Sequence, residues 1–236
     1  MELLTVGHSN YGMKAFISLL QKYEVTALAD VRSSPYSRFL PHFNREALKK
    51  ALEQEKIRYV FLGQELGARP KNRACYLEGK AMYEKIAATD DFYQGTQRLL
   101  KGVEKYKISL MCAEKDPITC HRAILVCQHL RHSDLEIHHI LGNGDLESHV
   151  NLEQRMLLKY GFTDFVEFQE IQNQLSLFSG NNKLLTKEES LDQAYRLQGD
   201  EIAYVEKREK YDYDQANQPV HDWIHSEDRP EVLRDA

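Results

Sequence analysis

Residues 108–125, ISLMCAEKDPITCHRAIL, place two cysteines, a glutamate, a histidine and an arginine at one predicted strand-to-helix junction. Residues 108–111 form a short apolar run that predicts a buried strand, and Asp116 followed by Pro117 predicts the first turn of a helix. A cysteine in such a turn lies near the positive end of the helix dipole, which favours the thiolate over the thiol. The junction therefore predicts a reactive thiol at Cys120.

The other two cysteines of this region are predicted to be packing residues, because cysteine is among the residue types most often buried. Cys112 ends the strand, and Cys127 follows Cys120 by one heptad. A metal site is the alternative, with ligands Cys112, Cys120, His121 and either His138 or His139. Because the close Cys-x-x-Cys pair typical of structural zinc is missing, the sequence predicts no metal and no cofactor.

Five apolar runs predict strands at residues 3–6, 25–29, 57–62, 108–111 and 137–141. Amphipathic stretches predict helices at residues 13–23, 44–54, 90–106, 117–131 and 145–160, the last ending before Gly161. Strands that alternate with helices imply crossover connections. The predicted fold class is α/β, with a mostly parallel open sheet of about five strands, helices on both faces and an acidic, partly helical C-terminal tail.

Polar side chains follow three of the predicted strands. In an open parallel sheet the functional crevice lies at the carboxyl ends of the strands, so these side chains are expected on one rim. Hydroxyls and arginines beside a helix N-terminus predict an anion site, with phosphate as the expected ligand. The predicted substrate- and phosphate-binding residues are His8, Ser9, Asn10, Asp30, Arg32, Ser37, Arg38 and Arg122. Asp30 is expected to orient Arg32 or a histidine.

Composition is that of a globular protein, with 42% hydrophobic and 28% charged residues among 236. The chain begins without a signal-peptide pattern, and no apolar run approaches the length of a membrane span, so we expect a cytoplasmic protein with reduced thiols. Residues 179–236 contain 8 basic against 14 acidic residues, a net charge of −6, whereas residues 1–178 carry a net charge of +1. Overall charge gives no support for nucleic-acid binding.

Five motifs occur in order along the first two thirds of the chain: TVGHSN, LADVRSSPYSRFLPHFN, FLGQELG, LMCAEKDPITCHR and HHIL. Together they resemble the bacterial and archaeal family called domain of unknown function family 488, over about residues 1–160. The resemblance implies an α/β domain in which signature Cys, Glu, His and Arg residues cluster. It bears on the fold and the candidate site more than on the reaction.

A local similarity bears on the chemistry. Residues 119–122, TCHR, are similar to the Pro-Cys-His-Arg motif of alkylguanine-DNA alkyltransferases, in which a cysteine accepts an alkyl group from a damaged base. That similarity implies Cys120 as the nucleophile, His121 as its base and Glu114 as the residue that polarises the histidine. Thr119 stands where those enzymes have proline, and no helix-turn-helix pattern adjoins it, so the similarity is one of chemistry rather than ancestry.

A rhodanese-like sulfur transferase unrelated to DNA is an alternative, because Asp30-Val31-Arg32 follows a strand and a cysteine can carry sulfur. The usual rhodanese loop begins with a cysteine and soon closes with an arginine. Here the first arginine after Cys112 is Arg122, ten residues on. The Cys-x5-Arg loop of phosphatases fails for the same reason, since position 118 is Ile.

Residues 174–178, QLSLF, resemble the bacterial sliding-clamp binding motif. The residues expected to contact the clamp are Gln174, Leu175, Leu177 and Phe178. The alternative is that the three apolar residues pack back onto the domain. We expect a domain at residues 1–165, a linker with the motif at 166–182, and an acidic tail at 183–236 in which Thr186 and Glu189 form a helical capping box.

Taken together, these features predict a DNA repair or DNA maintenance protein, recruited by the sliding clamp, that acts on a nucleotide or a modified base. The leading reaction is nucleophilic attack by Cys120. A Glu114-centred cleavage of a glycosidic bond is the alternative reaction, since a carboxylate suits an oxocarbenium-like transition state. A non-catalytic module that binds a nucleotide or DNA is the alternative of a different class.

Overall fold

The computed structural model describes residues 1–163 and 185–206. Its strands are β1 (Glu2–Gly7), β2 (Ala27–Asp30), β3 (Arg58–Phe61), β4 (Tyr76–Leu77), β5 (Lys80–Ala81), β6 (Ile108–Cys112), β7 (Glu136–Ile140) and β8 (Leu146–Ser148). Six of them form one sheet in the order β3-β2-β6-β1-β7-β8, and β4 pairs with β5 in a separate hairpin. All neighbours in the six-stranded sheet are parallel except β7 and β8. The predicted fold class is confirmed.

The helices are α1 (Met13–Lys22), α2 (Arg45–Gln54), α3 (Tyr83–Ala87), α4 (Asp90–Val103), α5 (Gln128–Leu130), α6 (His149–Lys159) and α7 (Lys187–Ile202). Short 3-10 turns occur at Pro41–Phe43, Arg73–Cys75 and Pro117–Thr119, and a π-helix at Arg122–Cys127 leads into α5. Within the described ranges, no helix combines the length and the apolar character that crossing a membrane requires.

The central strands are buried on both faces, which is why their sequences are nearly continuous apolar runs. Alternate residues of β1 enter different cores: Leu3 packs with residues of α4 and the π-helix, whereas Leu4 packs with α1 and α2. In β6, Leu110 packs in the same core as Leu3, and Met111 packs in the same core as Leu4. The two cores pack against opposite faces of the sheet and hold the ends of its strands in place.

Two predicted helices differ from the structure. The helix predicted at residues 117–131 is broken at Cys120, whose backbone is extended (φ −132°, ψ 136°) between the 3-10 turn and the π-helix. The break turns the sulfur of Cys120 toward the end of β6, where it meets Glu114. The helix predicted at residues 145–160 begins only at His149, because residues 146–148 pair with β7 and satisfy backbone groups of that strand.

Helix α7 packs against the domain. Leu191, Ala194 and Tyr195 are buried in a third core together with residues of α6 and the π-helix. The capping box at Thr186 and Glu189 is present as predicted. Beyond α7, the carbonyl of Tyr204 accepts a hydrogen bond from the Ala81 amide at 2.8 Å. The first part of the predicted acidic tail therefore lies on the folded body.

A chain of buried hydrogen bonds connects the sheet with α7. It runs from Arg122 Nε to Thr5 Oγ1 (3.3 Å), from Thr5 to His139 Nδ1 (2.8 Å), from His139 Nε2 to His149 Nδ1 (3.0 Å), from His149 Nε2 to the Tyr195 hydroxyl (2.9 Å), and from that hydroxyl to Glu153 (2.8 Å). A guanidinium only donates and an ionised carboxylate only accepts. The ends of the chain therefore fix its direction, and both histidines carry their proton on Nε2.

Both histidines of this chain are held neutral. Burial and the charge of Arg131 lower the pKa of His149 to about 4, and burial together with the nearby imidazole of His149 lowers the pKa of His139 well below its ordinary value. The unfolded chain binds a proton at each histidine below about pH 6.5, whereas folded His149 does so only below about pH 4. Folding stability is therefore complete above pH 6.5 and falls as the pH drops toward 4.

We predict that the free energy of unfolding decreases by about 2 kcal/mol between pH 7 and pH 5 on account of His149 alone. Urea denaturation of the wild type and of His149→Gln at both pH values measures this contribution. The variant should be less stable at pH 7, because the buried chain is disturbed, but its stability should depend less steeply on acid. Parallel pH profiles for the two proteins would contradict the assignment.

Candidate functional site

The carboxyl ends of β1, β2 and β6 lie side by side and bring three loops together. Gly7 is in register with Cys112, and Asp30 with Met111. Pairing of β1 with β6 continues into the loops, since the amide of His8 donates to the Cys112 carbonyl at 2.9 Å. A Cβ at Gly7 would lie 1.8 Å from the carbonyl oxygen of Glu114. The two loops therefore touch through their backbones.

Four side chains meet beyond the end of β6, and we call them the thiol cluster: Cys112, Glu114, Cys120 and His121. Their ligand-type atoms all lie within 4.8 Å of one another. Cys120 Sγ is 3.1 Å from Glu114 Oε2, and His121 Nδ1 is 3.5 Å from Cys112 Sγ and 4.0 Å from Cys120 Sγ. The cluster thus includes Cys112, which the sequence interpretation assigned to packing, and its donor set is one that can hold a metal ion.

The ring of His121 is oriented by the backbone. Its Nε2 lies 3.0 Å from the carbonyl oxygen of Val31, which can only accept, so Nε2 carries a hydrogen. In the neutral ring, Nδ1 then directs a lone pair at the two sulfurs. This contact joins the loop after β2 to the cluster.

Burial and neighbouring charges shift the pKa values of the ionisable groups of the cluster in different directions. Burial opposes ionisation of Cys120, but a hydrogen bond from Cys112 and the charges of Arg122 and His121 outweigh it and hold the pKa of Cys120 well below its ordinary value. Burial and the neighbouring sulfur raise the pKa of Cys112 well above its ordinary value. Burial and the charge of Cys120 likewise raise the pKa of Glu114.

For His121, burial lowers the pKa, but contacts with the sulfur of Cys120 and the charge of Glu114 outweigh it, so the pKa is raised overall. A thiolate beside an imidazolium is the pair expected of a nucleophilic cysteine. The role of Cys120 as nucleophile nevertheless stays a prediction, because the side chain is only 1% exposed.

Arg122 is fully buried and shapes the site loop. Its guanidinium donates to the carbonyl oxygens of Glu114 at 2.7 Å and Lys115 at 3.2 Å, in addition to Thr5. These contacts curve residues 113–115 over the cluster. Since its donors are directed at protein carbonyls and a hydroxyl, the phosphate-binding role of Arg122 stays a prediction.

Asp30 and Arg32 form a second buried group. Arg32 pairs with Asp30 at 2.7 Å and donates to the carbonyl of Phe43 at 2.9 Å. It also lies 3.2 Å from His8 Nε2, which must accept because a guanidinium only donates. Burial and the Arg32 charge lower the pKa of His8 to about 4. Asp30 therefore holds Arg32 in place, with a neutral histidine beside it.

A cavity of about 330 Å³ opens above the thiol cluster. Cys112, Glu114 and His121 line one side of it. The other lining residues include Arg32, Ser33, Ser34, Tyr36, Arg69, Tyr83, Ile202 and Tyr204. Cys120 lies behind this wall and does not line the cavity. The carboxyl group that reaches the cavity is that of Glu114.

The remaining predicted site residues lie elsewhere. Ser9, Asn10, Ser37 and Arg38 do not line the cavity, and the hydroxyl of Ser37 accepts hydrogen bonds from the amides of its own loop. His138 and His139, the alternative metal ligands, lie on β7, with His139 engaged in the buried chain. The clamp-motif residues Gln174, Leu175, Leu177 and Phe178 lie outside the described residues.

The predicted site residues leave out most of the cavity wall, and three of the residues left out bear on its chemistry: Arg69, Tyr83 and Tyr204. Arg69 begins the basic run RPKNR, and its guanidinium stacks 4.3 Å from the ring centre of Tyr204. Tyr83 belongs to no motif that would have indicated a functional role. Tyr204 comes from the segment after α7, more than 80 residues beyond the cluster in sequence. The basic run was the one available signal, and nothing in the sequence paired it with Tyr204.

Residues 12–128 match the family described as Domain of unknown function DUF488, which supports the resemblance seen in the motifs over that range. No curated protein and no solved structure matches the chain. The matched range ends at Gln128, the first residue of α5, so it includes the whole thiol cluster.

We predict that Gly7→Ala lowers the free energy of unfolding by about 1–3 kcal/mol, because the added methyl group must displace the Glu114 carbonyl. Gly12→Ala is the matched control, since a Cβ there meets nothing within 4 Å. Chemical denaturation of both variants measures the difference. Equal stabilities would show that the two loops do not touch as described.

Proposed function

We propose that this chain is a DNA maintenance enzyme whose DUF488 domain acts on a nucleotide or a modified base bound in the cavity. The carrying observation is the position of Glu114, a carboxyl group at the cavity wall with Cys112 and the imidazole of His121 beside it and Cys120 behind it. Convergent polar groups in a concave site are the usual setting of catalysis. A binding module would need a cavity but not this cluster.

The cavity walls suit a nucleotide. Tyr36 is 68% exposed and offers a ring on which a base can stack, and Tyr83 and Tyr204 supply further aromatic surface. Arg69 is exposed and stacked on Tyr204, which pre-orients its guanidinium for a phosphate. The volume lies near the lower end of about 300–1,000 Å³ for ligand pockets, as expected for one base with its sugar.

Acid–base chemistry by Glu114 fits the geometry better than direct attack by Cys120. The sulfur of Cys120 is behind the cavity wall, so a base in the cavity meets Glu114 first. A carboxyl group so placed can protonate a leaving group or activate water, as in cleavage of a glycosidic bond. Cys120 then acts from behind through its 3.1 Å contact with Glu114.

The motif QLSLF supplies the link to DNA in this proposal. It follows the domain, and binding to the sliding clamp would hold the enzyme at replicating DNA. The acidic C-terminal region, with its net charge of −6, is then a part that need not contact phosphates.

We predict that Arg69→Ala weakens binding of a fluorescent single-stranded oligonucleotide roughly tenfold, as expected for loss of one charge-assisted contact. Arg58→Ala is the matched control, because Arg58 is also exposed but begins β3, at the opposite end of the sheet from the cavity. Fluorescence anisotropy at fixed salt measures both. If the two variants bind alike, or the wild type does not bind, the nucleotide assignment fails.

The reaction is tested on the same oligonucleotides carrying modified bases, with products identified by mass spectrometry. Glu114→Gln should abolish product formation while leaving oligonucleotide binding intact. A substrate-derived adduct on Cys120 that forms in this variant would assign the chemistry to the thiol instead. Absence of any product from the wild type across alkylated, oxidised and deaminated bases would favour the binding module.

We predict that the wild type is retained on immobilised bacterial sliding clamp and that Gln174→Ala combined with Phe178→Ala is not. Asn173→Ala combined with Asn181→Ala changes residues that flank the motif and should leave binding unchanged. A pull-down with purified proteins measures retention. Equal retention of all three proteins, or of none, would remove the link to the clamp.

A further inference from the structure

We propose that the thiol cluster binds a zinc ion through Cys112, Cys120 and His121, with Glu114 next to the coordination position that faces the cavity. The sequence alone predicted no metal, because it lacks the close Cys-x-x-Cys pair, and the metal alternative took its fourth ligand from His138 or His139 of β7. The structure supplies a different set, in which all four donor atoms lie within 4.8 Å of one another. Two sulfurs and an imidazole are donors that zinc prefers.

The distances agree with tetrahedral coordination. Zinc–sulfur bonds of about 2.3 Å and zinc–nitrogen bonds of about 2.0–2.1 Å at a tetrahedral angle separate the two donor atoms by about 3.5 Å. His121 Nδ1 lies 3.5 Å from Cys112 Sγ and 4.0 Å from Cys120 Sγ. Only small movements of side chains would bring the three donors to one ion.

The orientation of His121 is that of a metal ligand. Metal-bound histidines usually donate their other ring hydrogen to a carbonyl or carboxylate, which fixes the tautomer. Here Nε2 donates to the Val31 carbonyl at 3.0 Å and Nδ1 faces the sulfurs. Among residues 1–163 and 185–206, the thiol cluster is the group of His, Cys, Asp and Glu side chains that converges in this way.

The remaining free cysteines provide a comparison. Cys75 and Cys127 are equally buried, but neither belongs to the converging group. Simple packing accounts for them, because cysteine behaves as a small apolar residue when buried. Packing does not account for a carboxylate and an imidazole directed at the other two sulfurs.

Three protein ligands and one open position are the arrangement of catalytic rather than structural zinc. In this cluster the open position falls on the side of Glu114, whose carboxyl group reaches the cavity. A zinc ion at such a site lowers the pKa of bound water and so supports hydrolytic chemistry. This last consequence rests on the proposed function, whereas binding of the ion does not.

The test is metal binding by the full chain. Protein freed of metal and titrated with Co²⁺ should develop the visible absorption of a tetrahedral ion and a thiolate-to-cobalt charge-transfer band, with one ion bound per chain. Addition of Zn²⁺ should abolish both. Cys112→Ser and Cys120→Ser should each lose the charge-transfer band or weaken it, whereas Cys75→Ala and Cys127→Ala should keep it. A spectrum of octahedral cobalt without charge transfer in the wild type would overturn the proposal.

A second measurement uses the wild type alone and does not depend on how the variants fold. In prolonged incubation, iodoacetamide reaches buried thiols through local opening, so bound zinc should slow the labelling of Cys112 and Cys120 and leave the labelling rates of Cys75 and Cys127 unchanged, as mapped by peptide mass spectrometry. Equal labelling with and without zinc would overturn the proposal. Zinc binding without oligonucleotide binding or product formation would support the metal site and reject the proposed function, so the two ideas fail separately.

Discussion

The burial of the Arg122 guanidinium is the constraint on which the rest of the structure depends. A buried cation is costly unless its donors are all directed at acceptors. Here each of the three guanidinium nitrogens donates to one acceptor: the carbonyls of Glu114 and Lys115 and the hydroxyl of Thr5. Satisfying the guanidinium bends the loop after β6, and that bend brings Glu114 over Cys120. The same residue therefore stabilises the fold and shapes the site.

The need to pair each buried hydrogen-bond donor with an acceptor extends well beyond Arg122. Thr5 accepts a hydrogen bond from the guanidinium and donates its own hydroxyl hydrogen to His139. Each later group of the chain accepts from the group before it and donates to the next, as far as Tyr195 and Glu153. A reversed bond anywhere would leave a buried donor facing a donor, at a cost of about 1–3 kcal/mol. Helix α7 is thus tied to the site by polarity as well as by packing. Its last residue, Ile202, and Tyr204 just beyond it reach the cavity wall.

The sequence predicted the sheet well and the site in part. Strands such as residues 108–111 are recognisable in the sequence because both faces are buried, so nearly every residue is apolar. The break at Cys120 could not be foreseen, since Asp116-Pro117 signals a helix start whether or not the helix continues. Cys112 was assigned to packing because cysteine is so often buried, and its contact with His121 could not be foreseen because Val31, some 90 residues away, orients that ring. Contacts between distant loops leave no local pattern.

The chemistry of the cluster turns on how many negative charges it can hold. Two buried thiolates and the more exposed carboxylate of Glu114 within 4.8 Å of them repel one another. With protein charges alone, the cluster resolves this by favouring the thiolate at Cys120 and opposing it at Cys112. A divalent cation removes the conflict, since both sulfurs can then ionise against it. The features that first suggested a nucleophilic thiol, a stabilised thiolate beside a histidine and a glutamate, are therefore also those of a metal ligand set. What separates the two is exposure: a nucleophile must reach the substrate, whereas a ligand need only reach the ion, and Cys120 is 1% exposed.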